Sequence, residues 1–261
     1  MVIEPYQNEV EGVPRDAASV VLLREADGGL EAFLLKRTGS KTIVGDAYVF
    51  PGGKLDPEDA HADAISALEL PGDPVAMLGE PALNEVQAGA LFVAACRETF
   101  EETGVQVKGN HLLPLSRWIT PKTPAMMRRR FDTRFFVALM PDGQHAVHDG
   151  QEAKDSEWIT PTQALQNYSD GLINLAPPQL MTLAGIATHH SFESLAASLR
   201  GRIPPLIEPV SFKEGEGRVI VYPGHPRHPV AERALPGPLS LVWRNNRFEP
   251  AAGFAGFFAD S

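Results

Sequence analysis

Along the first half of the chain, apolar positions come in short β-branched runs separated by turn residues. Residues 17–23 (AASVVLL) and 31–37 (EAFLLKR) flank Asp27-Gly28-Gly29 and predict a β-hairpin. A loop over 39–45 and a short strand over 47–50 follow, and Pro51-Gly52-Gly53 reads as a break. The period then changes. Between Asn84 and Thr103, residues Phe92, Ala95, Cys96, Thr99 and Thr103 recur at helical spacing. Asn84 suits the N-cap, with Gln87 three residues on, and Gly104 suits the C-cap. Further strands are predicted over 112–119, 133–140 and 156–159, and a helix opens at Thr160-Pro161 and runs to about Tyr168.

Two stretches interrupt this order. Residues 56–85 carry Pro57, Pro71, Pro74 and Pro81, with room for one short helix over 58–70, and read as an insertion between two parts of one site. After Asn174 the composition shifts. Helical patterns follow Pro177-Pro178 and span 191–199, and strands are expected over 218–222 and 239–243 beside turns at Pro223-Gly224 and Pro236-Gly237. The expected division is a main domain over 1–174 and an extension over 175–261 packed on its core. The mixed order of strands and helices points to an α/β or α+β fold.

Composition narrows the function classes. Hydrophobic residues are 43% and charged residues 21% of the 261, enough to build a sizeable core. The formal net charge of −10 repels a polyanion, so a nucleic-acid polymer is not an expected partner, whereas a small anion remains admissible where cations are supplied locally. One cysteine, Cys96, allows neither an internal disulfide nor a Cys-rich zinc site. No apolar run reaches the roughly 20 residues of a membrane span. The first residues carry Glu4, Glu9 and Glu11 and do not resemble a signal peptide. A cytoplasmic protein without a membrane partner is the expectation.

The chemistry concentrates at Arg97-Glu98-Thr99-Phe100-Glu101-Glu102-Thr103-Gly104-Val105. Glu98, Glu101 and Glu102 stand at i, i+3 and i+4, on one face of the helix and away from its apolar stripe. A like-charge i,i+4 pair costs roughly 0.2–0.5 kcal/mol even in water, and anions near a helix C-terminus oppose the macrodipole. A solvated acidic helix end would tolerate that cost. A hard divalent cation with oxygen ligands would offset it.

This stretch resembles the second half of the Nudix box, and Phe50-Pro51-Gly52-Gly53 resembles its opening. Two departures stand out: Thr99 occupies an apolar position of the motif, and a long insertion separates Gly53 from Arg97. The first acid of the box has two candidates, Asp59 and Asp56. A split box resembles the long-insertion branch that includes the peroxisomal coenzyme A diphosphatase. Trp118-Ile119-Thr120-Pro121 and Arg130-Phe131-Asp132-Thr133 are similar to segments of that branch. The resemblance implies a Nudix α/β/α sandwich with a mixed sheet, an insertion within the box and a C-terminal extension. It implies hydrolysis of a nucleoside diphosphate linked to another moiety, coenzyme A or acyl-CoA among them. The alternatives are an ADP-ribose or dinucleotide pyrophosphatase, and a non-catalytic nucleotide sensor. Arg97, Glu98, Glu101 and Glu102 would form the catalytic set. The Gly53 carbonyl, the same three glutamates and Glu152 from a later loop would hold Mg²⁺ or Mn²⁺, with Glu157 the weaker choice for the later acid. A homodimer is left open.

Arg128, Arg130 and Arg134 form a basic cluster in an acidic chain, and Arg37 resembles an arginine that precedes the Gly-Gly turn in Nudix enzymes. Guanidinium forks suit phosphate oxygens, so these four are the substrate candidates, against the alternative of solvated loop or strand-end charges. His189, His190, His225 and His228 lack metal-ligand spacing and read as surface or packing residues. Cys96, on the apolar stripe, reads as buried and inert.

Overall fold

The computed structural model describes residues 10, 12–37, 46–122, 129–215 and 217–258; the loop expected over 39–45 and Arg128 lie outside them. β1 (Arg15–Ala26) turns into β2 (Gly29–Arg37), the expected hairpin, in the register Leu23↔Ala32 to Ala26↔Gly29. β3 (Ala47–Val49) pairs antiparallel with the end of β2. The break expected at 51–53 is instead a strand, β4 (Gly52–Lys54), laid antiparallel on Ala17 to Ser19 of β1. Two glycines offer no side-chain pattern, so the strand is specified by its partner and not by its own propensity.

The insertion is ordered. A 3₁₀ turn (Pro57–Ala60), α1 (Ala62–Ser66) and α2 (Pro74–Leu78) replace the single helix expected there. Asp73 caps α2 by accepting from the Val75 and Ala76 amides. Leu68 and Leu78 are buried and pack against α3 (Glu85–Thr103) and the sheet. Helix α3 starts on a reciprocal capping box, Gln87 N to Asn84 Oδ1 (2.9 Å) and Asn84 N to Gln87 Oε1 (3.0 Å), and ends at Gly104. Thr99, the departure from the motif, is fully buried with its hydroxyl donating to the Ala95 carbonyl (2.7 Å), so it packs as an apolar residue.

β5 (Leu113–Ile119), β6 (Phe131–Leu139), β7 (Ala153–Ile159) and α4 (Pro161–Ser169) follow as expected. They are succeeded by α5 (Pro177–Ile186), α6 (Phe192–Leu199) and β8 (Leu206–Ile207). The strands run β3-β2-β1-β6-β5-β8, with β4 added to β1 and β7 to β2. β1 with β6 and β5 with β8 are parallel and the other pairs antiparallel, so the sheet is mixed. Both faces are covered. Ala18, Val20 and Leu22 of β1 join Leu91, Phe92 and Ala95 of α3, whereas Val21 and Leu23 join Leu165, Leu180, Leu183 and Leu195 from α4, α5 and α6. This is an α/β/α sandwich, and burial on both faces explains why β1 is an unbroken apolar run instead of an alternation.

The last segment adds β9 (Val210–Glu214), β10 (Gly217–Val221), β11 (Ser240–Arg244) and β12 (Arg247–Glu249), an antiparallel sheet in the order β12-β11-β10-β9. Ile220, Tyr222, Leu241, Phe248 and Phe257 share one apolar cluster with Val21 and Leu23. The Tyr168 hydroxyl donates to the Phe248 carbonyl (2.8 Å) and accepts from the Phe248 amide (3.0 Å), joining α4 to β12. Among the described residues, no helix is long and apolar enough to cross a membrane.

Candidate active site

The C-terminal half of α3 faces β4. Gly52 has φ +153°, and a Cβ there would fall 2.7 Å from Ser19 Cα. A Cβ on Gly53 would fall 2.5 Å from Glu98 Cδ. The two glycines thus leave room for β1 on one side and for a glutamate carboxylate on the other. Glu102 is buried, and its Oε2 accepts from the Gly52 amide (2.9 Å) while its Oε1 accepts from Arg37 Nη2 (2.9 Å). Desolvation pushes the Glu102 carboxyl up to about 7, against the opposing pull of Arg37 and the Gly52 amide. Burial raises Glu98 as well, opposed by Arg97.

Arg97 organises the opposite side. Its Nε and Nη2 donate to Asp59 Oδ1 and Oδ2, both at 2.8 Å, and its Nη1 donates to Glu98 Oε1 (2.9 Å) and Glu101 Oε2 (3.0 Å). Between the two candidates for the first acid of the box, the geometry selects Asp59, which is buried in this two-pronged pair; Asp56 stands 3.8 Å from Arg97 and pairs with Lys54. Glu152, in the loop before β7, also reaches the site. It shares the Arg37 guanidinium with Glu102. Glu157 does not join it, its charged neighbours being Asp155 and Lys36.

The arginine cluster is a correction. Arg134 is 2% exposed, and its Nε and Nη2 donate to Glu80 Oε1 (2.9 Å) and Oε2 (2.6 Å), with Asp16 on Nη1. Arg117 completes the group, with Nη1 2.8 Å from Glu80 Oε2 and Nε and Nη2 on the two oxygens of Asp132. Arg130 donates to the Thr120 carbonyl (2.9 Å) and pairs with Glu208 (3.1 Å). Neither arginine presents an unoccupied fork to a phosphate. Sequence reasoning missed Glu80 and Arg117, because an acid in a proline-punctuated insertion gives no sign of a partner 54 residues away. Of the three substrate candidates among the described residues, Arg37 stands at the site.

The histidines brace loops: His228 Nε2 lies 3.0 Å from the Glu208 carbonyl, and its Nδ1 accepts from the Val230 amide. His225 accepts from the Arg227 amide, and His189 meets Ser194. Cys96 is half-buried, and burial pushes its thiol up to about 12, which keeps it protonated.

The family resemblance implies a divalent metal ion. The donors are all oxygen, and the carboxylates of Asp56, Asp59, Glu98, Glu101, Glu102 and Glu152 are met by Arg97, Arg37 and Lys54, which leaves negative charge in excess. That chemistry fits a hard cation. Among the described residues, no three acidic, His or Cys side chains already form a metal cluster. Arg97 holds Asp59, Glu98 and Glu101, Arg37 holds Glu102 and Glu152, and Lys54 holds Asp56.

Comparisons with known proteins agree with this architecture. A family model described as the NUDT19 Nudix domain matches residues 110–186, downstream of the glutamate helix. The chain is 23% identical to acyl-coenzyme A diphosphatase NUDT19 of Xenopus laevis, with 59% of each chain covered. It is 24% identical to the protein of the same name from Gallus gallus, covering 82% of this chain and 80% of that one. The chain thus spans less than two thirds of the length of the Xenopus relative. A crystal structure of a Nudix hydrolase from Alicyclobacillus acidocaldarius superposes with a TM-score of 0.58 at 23% identity, over 72% of this chain and 97% of that one. Fold and sequence converge on one architecture: the chain has the fold of a Nudix hydrolase, and residues 110–186 are similar to a Nudix domain.

Proposed function

We propose that this protein is a Nudix diphosphatase that hydrolyses the diphosphate of coenzyme A or an acyl-CoA in the presence of Mg²⁺ or Mn²⁺. The observation that carries the reading is the seating of Glu98 against Gly53 and of Glu102 on the Gly52 amide, with Arg97 fixing Glu98 and Glu101. Glu98, Glu101, Glu102, Glu152 and the Gly53 carbonyl would hold the cation, which when bound supplies charge for phosphoryl oxygens and a more acidic water. Arg97 orients two of the glutamates, and Arg37 is the cation beside Glu102 and Glu152 available to a substrate phosphate. Water oxygen adds to one phosphorus, the bridging P–O bond breaks, and a carboxylate of the set takes the proton of the water. From coenzyme A the products are adenosine 3′,5′-bisphosphate and 4′-phosphopantetheine.

The substrate class is supported by the names of the relatives, acyl-coenzyme A diphosphatases. It is supported further by the pairing of the two branch-like segments, Thr120 N donating to the Phe131 carbonyl (2.8 Å) and Arg130 to the Thr120 carbonyl. The test is a screen of CoA, acetyl-CoA, NADH, ADP-ribose and a diadenosine polyphosphate with Mg²⁺, products being identified by mass. Mg²⁺-dependent release of the two CoA products at the highest kcat/KM is the expected result. A higher kcat/KM for ADP-ribose or the dinucleotides would reassign the substrate, and tight binding with no turnover would make the protein a nucleotide sensor.

A further inference from the structure

The insertion does more than bridge the two halves of the box. Its α1 end, α3 and residues 106–109 line an open cavity of about 560 Å³, within the range of small-molecule sites. Leu68, Val93 and Val107 give it alkyl surface, Gln106 gives it a carboxamide and Lys108 a cation, while the Gln144 carboxamide is held by the Gln106 backbone (2.8 and 3.2 Å). The walls are fixed by close packing: a Cβ on Gly89 would fall 2.7 Å from Ile65 Cγ2, and one on Gly109 would fall 2.7 Å from Leu68 Cβ. Glu69, on the rim, holds a left-handed backbone (φ 51°) that a non-glycine residue rarely adopts. The segment is therefore held in place on α3 and does not rest there loosely.

The position of the cavity is as informative as its lining. Val93, Cys96 and Arg97 stand at i, i+3 and i+4, so they share one helix face, and all three line the cavity. The guanidinium of the same Arg97 holds Glu98 and Glu101. Cavity and carboxylates thus lie on adjoining faces of α3 with the Arg97 side chain between them. A substrate with its diphosphate at the carboxylates can pass its remaining arm by Arg97 into the cavity. The lining selects the chemistry of that arm: a chain that alternates alkyl groups with amides, matched by Leu, Val and Gln side chains. A bare sugar, rich in hydroxyls, would leave the alkyl surface unmatched.

We infer that this cavity is the binding site for an amide-containing alkyl arm of the pantetheine type, attached to the diphosphate. The inference rests on the CoA-type reading above. Its test is a methyl-detected NMR titration of the metal-free protein with 4′-phosphopantetheine, alongside kcat/KM for CoA in the wild type and in Ala64→Trp, which fills the cavity from α1. Shifts at the Val93, Val107 and Leu68 methyls are expected, abolished in Ala64→Trp, with a fall in kcat/KM for CoA of at least about tenfold, the scale of a few lost methylene contacts. Gln106→Ala, which leaves the packing intact, should weaken phosphopantetheine binding severalfold if the larger variant does not fold. An absence of shifts at these methyls, or unimpaired CoA turnover in a folded Ala64→Trp, overturns the inference. Methyl shifts in a wild type that cleaves no CoA would uphold the binding site and refute the activity.

Discussion

Two clusters of charge lie on the α3 side of the sheet and differ in balance. At the end of α3, six carboxylates share Arg97, Arg37 and Lys54, and several of them stay open to water. Beside β5 and β6, Arg117 and Arg134 are enclosed by Glu80, Asp132 and Asp16, with Arg134 and Glu80 both buried. The first cluster keeps negative charge in excess. The second has met its demand internally and is a structural tie, joining the insertion to the sheet through Glu80. Density of charged residues in the sequence does not separate the two; the ratio of partners and their burial does.

The largest expected effect breaks the second cluster. Glu80→Ala leaves two guanidinium groups without their shared carboxylate and should destabilise the protein by about 3–5 kcal/mol in urea denaturation. Hydrogen exchange should show the loss first in residues 74–80. Unchanged stability would mean that the network is not what fastens the insertion.

The next effect breaks the first cluster. Glu101→Gln and Glu102→Gln should each lower Mg²⁺-dependent turnover by about two orders of magnitude, the scale of a lost electrostatic contact to the transition state. Circular dichroism should remain that of the wild type. Near-normal turnover at saturating Mg²⁺ in either variant would remove that glutamate from the set.

A pH series sharpens the contrast. The Glu102 carboxyl rises from 4.5 to about 7 on folding, so the folded chain keeps a proton that the unfolded chain loses between those values. Below pH 4.5 both states are protonated and the group contributes nothing. As pH climbs from 4.5 to 7, metal-free protein should lose up to about 3 kcal/mol relative to Glu102→Gln, with no further change from this group above that window. Added Mg²⁺ should flatten the curve. A wild type and a variant with parallel stability profiles would mean that burial does not set the carboxyl.

The smallest expected effect is none. Arg134→Lys should leave the ratio of kcat/KM for CoA and 3′-dephospho-CoA within about twofold of the wild type, because Arg134 is spent on Glu80 and Asp16. A selective loss of CoA turnover would make Arg134 a reader of the 3′-phosphate.

What the sequence made legible was local. Asn84, Gln87 and Gly104 marked the ends of α3 because caps are written in neighbouring residues, and the glutamate face followed from helical spacing. Strand β4 was illegible because Gly52 and Gly53 have no side chains to pattern, and its pairing resides in β1. The choice of Asp59 over Asp56 waited on Arg97, 38 residues away. The role of Arg134 waited on Glu80 across the insertion. Glu152 was readable as an acid before a strand, but only Arg37 shows why it reaches Glu102. β9 and β12 escaped notice because short strands at the edges of a small sheet have little apolar alternation to display.

The parallel pairing of β1 with β6 has a consequence for how the chain is made. β1 must wait for a partner roughly a hundred residues further along, from Arg15 opposite Phe131 to Leu23 opposite Leu139. During synthesis its apolar run can form the hairpin with β2, but its other edge stays unpaired until β6 has left the ribosome. Long-range parallel pairing of this kind slows folding and exposes a sticky strand edge meanwhile. Helix α3, already nucleated by its capping box, emerges in that interval and can cover one face of β1 but not its edge. A ribosome-stalled chain ending before β6 should therefore be bound by chaperones, and one extending past Leu139 should be released.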